Sequence, residues 1–273
     1  MGGWFLLVPV AWVGPLFELA HLGRFLIQPE SLLALAVIGV AMLVRGTFGF
    51  GDALVAMPLL LLLVGIDVAA PLIALLSVTL AAMVLVQDWR HVHLRDAAAL
   101  VVSALAGVVV GLLFLARASE AAVTAGLGGV VVLFSGYVLF HPQFKGLRTE
   151  RAAPLFGLAA GILSGAYNAP GPPLVVYGAL RRWSAEKFRA TLQAFFLPTA
   201  TAVVAGHGVA GRLDAEVLAY YVASLPLVAA CVVVGRRLNA RFETEAFART
   251  LHALLLLLGT VLIIRAVWLL NGA

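Results

Sequence analysis

The sequence predicts an all-α membrane protein made of two inverted five-segment repeats, each opening on a short broken or re-entrant hairpin. Three observations lead there. Hydrophobic residues make up 63 % of the 273 and charged residues 11 %, with a strongly positive mean hydropathy, a composition foreign to water-soluble domains. The apolar residues fall into about ten segments, four of which meet in two pairs at helix-breaking stretches. The chain also repeats weakly at a spacing of 119, pairing Gly46 with Gly165, Phe48 with Tyr167, Asp67 with Glu186, Leu94 with Leu213 and Arg117 with Arg236.

The first break is Arg45-Gly-Thr-Phe-Gly-Phe-Gly-Asp52 and the second is Asn168-Ala-Pro-Gly-Pro-Pro173. Prolines remove backbone donors and glycines loosen what is left, so some peptide groups there lack intrahelical partners, which hydrocarbon does not tolerate. Such a break persists only inside protein or along a polar cavity. Interrupted segments at corresponding places in two halves point to a transporter's binding site.

In order, the segments are 31–44, 53–66, 70–87, 98–116, 121–140, 154–168, 172–180, 190–207, 216–234 and 250–270. The third, fourth, fifth, eighth, ninth and tenth are long enough for a bilayer core of about 30 Å at about 1.5 Å per residue. The other four are shorter and read as two hairpins whose tips lie within the membrane. Five segments per repeat is odd, so the second repeat enters from the opposite face. The divisions are an N-terminal segment 1–30, a first repeat 31–140, a linker 141–153 and a second repeat 154–273. Residues 4–17, with Trp4 and Trp12 and followed by Glu18, His21 and Arg24, read as an interfacial helix rather than a span or a signal peptide.

Alternating sides sorts the charge. Arg90, Arg95, Lys145, Arg148, Arg151, Arg181, Arg182, Lys187, Arg189, Arg236, Arg237, Arg241 and Arg249 collect on one side, thirteen of the eighteen basic residues. This bias expects those loops, the 141–153 linker among them, in the cytoplasm and the C-terminus outside, in a bacterial-type inner membrane. The basic pI of about 9.9 thus reflects topology, not a nucleic-acid partner. The single cysteine, Cys231, leaves no internal disulfide and no cysteine metal cluster.

Helix N-termini at the tips favour an anion. Amides around Gly49, Gly51 and Asn168 to Gly171 are candidate ligands of a small oxyanion, with side-chain bonds from Thr47, Ser164 and Asn168. The rival reading is close helix packing by small residues. Arg45 stands at a tip, where a charge is costly; it pairs with substrate or Asp52, or snorkels to the interface. Asp52 is either a proton acceptor or a helix cap. Gln193 lines the path or ties helices together, and Tyr167 and Tyr177 are gates or packing residues. Ser77 and Thr79 are expected to satisfy their own helix. His207 and His252 read as hydrogen-bonded core residues. His91 and His93, beside Asp88 and Asp96, lack the third fixed ligand of a metal site. No metal or cofactor is expected.

Gly49-Phe-Gly-Asp-Ala-Leu-Val-Ala-Met-Pro58, Gly161-Ile-Leu-Ser-Gly165 running into Pro170-Gly-Pro-Pro173, and Phe188-Arg-Ala-Thr-Leu192 together resemble the TauE/SafE sulfite/organosulfonate exporter family. The resemblance covers about residues 31–270. It implies a secondary permease that moves sulfite, sulfonates or related small anions, usually outward. Asp52 and Pro172 stand where many relatives carry glycine. Another small organic or inorganic anion is the alternative cargo. An intramembrane serine hydrolase using Ser164 and a histidine such as His207 is disfavoured, since Gly-Ile-Leu-Ser-Gly has one residue more than the rhomboid-type pattern it resembles. Nothing reads as a nucleotide-binding loop, so the expectation is no enzyme and no direct use of ATP. Coupling to a proton or a sodium ion, and pairing into a homodimer, stay open.

Overall fold

In the computed structural model the described residues are 28–88, 94–140, 150–239 and 244–271. The expected interfacial helix of residues 4–17 and the His91/His93 pair lie outside them. The described chain forms ten α-helices and one short 3-10 turn, with no strand among these residues: α1 (Pro29–Phe48), α2 (Asp52–Leu63), α3 (Ile66–Asp88), α4 (Leu94–Arg117), α5 (Glu120–Phe140), the turn Glu150–Ala152, α6 (Ala153–Tyr167), α7 (Gly171–Leu180), α8 (Ala185–Val209), α9 (Ala215–Asn239) and α10 (Thr244–Asn271).

Each apolar segment became one helix. By length and composition α1, α3, α4, α5, α8, α9 and α10 can cross a membrane, while α2, α6 and α7 are shorter. Leu254, Leu257, Val261, Ile264, Val267 and Trp268 recur at helical spacing along the exposed side of α10, and Val102, Val109, Val110 and Leu113 do so on α4. Apolar rows of this extent are compatible with lipid rather than water as the surrounding solvent. This is a multi-pass membrane protein.

Two expectations change. The first segment is not short: α1 runs for 20 residues, because Arg45, Gly46, Thr47 and Phe48 continue it as regular helix. The interruption is confined to Gly49, Phe50 and Gly51, and the φ of Gly49 (84°) and Gly51 (97°) lies where a side chain is strained. The second interruption is likewise shorter than the proline count suggests. Pro172 and Pro173 stand in the first turn of α7, where a helix needs no N–H donors, which leaves Asn168, Ala169 and Pro170 as the break.

Helix boundaries repeat at the spacing seen in the sequence. α1 and α6 end at Phe48 and Tyr167, α2 and α7 begin at Asp52 and Gly171, and α3 and α8 begin at Ile66 and Ala185, each 119 positions apart. The main packing pairs are α4 with α6, α1 with α9, α3 with α8 and α5 with α10. Glycine permits the closest of these. A side chain at Gly165 would run into the Val108 carbonyl and lie 2.9 Å from the Leu112 nitrogen. At Gly46, the position 119 earlier, a Cβ would lie 2.9 Å from the Cys231 carbonyl and 3.4 Å from the Gly235 Cα. Backbone meets backbone there, as small residues allow in membrane bundles.

The buried apolar residues form a large core around α1, α2, α3, α5, α9 and α10 and a smaller one around α4, α6, α7 and α8. Phe50, in the first interruption, packs against both.

Candidate functional site: a buried arginine between two helix interruptions

The two interruptions touch. A Cβ added at Gly171 would lie 3.2 Å from the Phe50 ring, so Phe50 fills the space against the start of α7. That ring also stands edge-on to Phe134 of α5 at 6.5 Å and to Phe188 of α8 at 6.0 Å. From the other side Asn168, left-handed at φ 54°, donates from Nδ2 to the Ala70 carbonyl of α3 at 2.7 Å. Asparagine suits this position: it tolerates left-handed backbone, and its amide reaches across to the opposite half.

Arg45 occupies the last turn of α1 and is 1 % exposed. Its Nη1 donates to Asp52 Oδ2 at 2.6 Å and to Ser77 Oγ at 2.8 Å, and Ser77 in turn donates to the same carboxylate oxygen at 3.2 Å. The Phe196 ring of α8 lies under the guanidinium, 4.4 Å from centroid to carbon, a cation–π contact. Arg45 therefore does not snorkel; it is a buried charge met by α2, α3 and α8. Its Nε and Nη2 are buried without a hydrogen-bond partner among the described residues. An orphaned buried donor costs about 1–3 kcal/mol, more when charged, so nitrogens left this way ask for an acceptor that the described residues do not supply.

The remaining candidates divide. Thr47, Ser164, Asn168, Gly171 and Gln193 are all buried. Thr47 Oγ1 donates to the Leu43 carbonyl of its own helix at 2.8 Å. The amides expected to hold an anion are partly spent: Gly49 N–H donates to the Arg45 carbonyl, Asn168 N–H to Ser164 and Ala169 N–H to Leu163. Pro170 has no N–H, so Gly171 is the one residue of the 168–171 stretch whose amide is not used in closing α6. At the first interruption the opening N–H groups of α2 have no intrahelical acceptor, and Asp52 holds that end beside the guanidinium. Gln193 stands one turn before Phe196 on α8, with its side-chain oxygen buried and without a partner among the described residues.

Tyr167 and Tyr177 are both buried, in separate aromatic groups. The ring of Tyr167 meets Phe114 of α4, and that of Tyr177 lies between Phe156 and Trp183. His207 and His252 are buried core residues, as expected, but Nε2 of the first and Nδ1 of the second find no hydrogen-bond partner among the described residues. No hydrogen bond joins His207 to Ser164 among the described residues. Nor does any group of three or more metal-binding side chains occur among them.

Sequence reasoning undervalued Ser77 and missed Phe196. Thr79 does bond its own helix, at the Leu75 carbonyl, as expected; Ser77 instead bridges the charged pair. The spacing of 119 held the clue, because it pairs Ser77 with Phe196, and both touch the Arg45 guanidinium.

Over residues 33–262 the sequence matches the family model described as sulfite exporter TauE/SafE. It is also similar to a protein of Cupriavidus necator named probable sulfite/organosulfonate exporter TauE, with 29 % identity over 253 residues, covering 87 % of this chain and 98 % of that one. No solved structure matches the chain. With a multi-pass helical bundle and a match over most of its length, the chain belongs to the sulfite exporter TauE/SafE family.

Proposed function

We propose that this protein is a secondary permease that exports a small sulfur-containing anion, sulfite or an organosulfonate, by alternating access around the two helix interruptions. The observation that carries the reading is their contact, through Phe50 on Gly171 and Asn168 on Ala70, beside a buried arginine with unused donors. A break of this kind in a membrane protein is sustained where it lines a substrate path. The cargo and the outward direction come from the family and from the name of the Cupriavidus relative.

On this reading the two runs of five helices are inverted repeats and the interruptions meet near the membrane midplane. Two features support that. Helix starts and ends recur at one spacing, and the packing pattern maps onto itself when the runs are exchanged: α4 on α6 becomes α9 on α1, while α3 on α8 and α5 on α10 are unchanged. Arg45 touches Ser77 and Phe196, which the exchange interchanges, so the guanidinium belongs near the axis relating the halves. Arg45, Thr47, Gly49, Gly51, Asp52, Ser164, Asn168, Gly171 and Gln193 form the proposed path, with Tyr167 and Tyr177 as its gates. The basic loops face the cytoplasm and the C-terminus the outside.

The test is reconstitution. Vesicles carrying the purified protein should release trapped sulfite or a sulfonate faster than empty vesicles, and the reading falls if neither anion moves or binds.

A further inference from the structure

We propose that the transported anion is held on the free edge of the Arg45 guanidinium, by Nε and Nη2, and that Asp52 stays on Nη1 as a fixed counter-charge, making the site selective for singly charged oxyanions. This rests on the permease reading and assigns its ligand.

A guanidinium presents donors along separate edges. Here Nη1 is committed to Asp52 and Ser77, while Nε and Nη2, which together form one fork, are buried and without a partner among the described residues. That fork fits two oxygens of a carboxylate, sulfonate or sulfite group side by side, and charge-assisted pairs of this geometry are the strong ones. Phe196 stacks on the guanidinium face and Ser77 pins Nη1, so the plane of the fork is set before a ligand arrives. The first turn of α2, whose opening N–H groups have no intrahelical acceptor and no side-chain cap, begins at Asp52, the partner of this guanidinium.

Charge selectivity follows from Asp52. Arg45 and Asp52 are 1 % and 3 % exposed and together carry no net charge. A monoanion adds one charge to this desolvated site and a dianion adds two. The cost of placing charge in a poorly polarisable medium rises with its square, and Asp52 repels the second charge while Arg45 attracts it, so the pair returns little of that extra cost. Hydrogen sulfite and organosulfonates are monoanions; sulfate is a dianion of similar size and donor preference.

The experiment measures stabilisation of the full-length protein in detergent by methanesulfonate and by sulfate at matched ionic strength, which reports binding to the folded state. The wild-type protein is expected to respond to methanesulfonate and not to sulfate. Arg45→Lys keeps a charge for Asp52 but lacks the fork, and should weaken methanesulfonate binding about 10- to 100-fold, the worth of one or two charge-assisted hydrogen bonds. Asp52→Asn leaves one positive charge uncompensated and should gain sulfate binding by about tenfold or more. Because that is a gain, it decides the matter even if Arg45→Lys does not fold. Equal stabilisation of wild type by sulfate, an unweakened Arg45→Lys, or no gain in Asp52→Asn overturns the assignment. If methanesulfonate crosses reconstituted vesicles while both variants bind like wild type, the Arg45 site falls and the permease stands; if no anion binds or crosses, both fall.

Discussion

Asn168 is the pin between the halves, and replacing it separates two energies. Its side chain supplies a 2.7 Å bond to the Ala70 carbonyl, and its backbone is left-handed at φ 54°. Asn168→Gly keeps the backbone geometry without strain and loses only the bond, a net cost of about 0.5–1.5 kcal/mol. The Ala70 carbonyl lies inside α3, so it is not stranded. Asn168→Ala loses the same bond and leaves in the left-handed region a side chain without the polar group that makes asparagine tolerated there, about 1–2 kcal/mol above the glycine variant. Alanine should therefore be the more damaging change, although it is the better helix former elsewhere. Reversible unfolding in mixed micelles measures both. An alanine variant as stable as wild type, or a glycine variant less stable than the alanine one, refutes the reasoning.

The other predictions concern packing and charge. Gly165→Ala drives a methyl into the backbone of α4 and should cost about 1–3 kcal/mol, whereas Gly136→Ala, with nothing within 4 Å of the added carbon, should be neutral or gain up to about 1 kcal/mol in the same unfolding assay. Arg45→Met strands a buried Asp52 and should cost about 3–5 kcal/mol. Adding Asp52→Leu should recover most of that stability without restoring transport in vesicles. Cys231 is buried, with its thiol 3.4 Å from the Gly39 carbonyl at the α1–α9 crossing, so it should resist maleimide until the protein is denatured.

Much of the bundle was legible because hydrophobic length and proline position are local properties. Residues 121–140 and 154–168 became helices to within a residue at each end, and the ends of α1 and α6 and the starts of α2 and α7 recur at the spacing of 119 that the sequence shows. The errors at the breaks have a common cause. Arg45 to Phe48 read as a break because glycine and arginine are poor company in hydrocarbon. Once Gly46 packs on Cys231 and Gly235, and Arg45 finds Asp52, the helix continues. Pro172 and Pro173 looked disruptive because their cost depends on whether they stand in a first turn, and they do, since α7 begins at Gly171.

The site was legible as a region more than as a geometry. Arg45 and Asp52 were candidates from charge alone, but no local pattern marks Ser77 as a bridge or Phe196 as the surface under the guanidinium. Both depend on α3 and α8 crossing beside α1. Similarly, the amides of Gly49, Asn168 and Ala169 seemed free to bind an anion, and only the turn geometry spends them on helix closure.

Meeting of the interruptions is the feature on which the permease reading depends, and a cross-link tests it directly. The Phe50 Cβ lies 4.0 Å from where a Cβ would stand at Gly171, within the separation a disulfide requires. In a Cys231→Ser background, Phe50→Cys with Gly171→Cys should form an intramolecular disulfide on oxidation, and efflux of methanesulfonate, which unlike sulfite does not cleave disulfides, should stop and then return on reduction. Failure to cross-link, or a cross-linked protein that transports at the rate of its reduced form, would contradict the account.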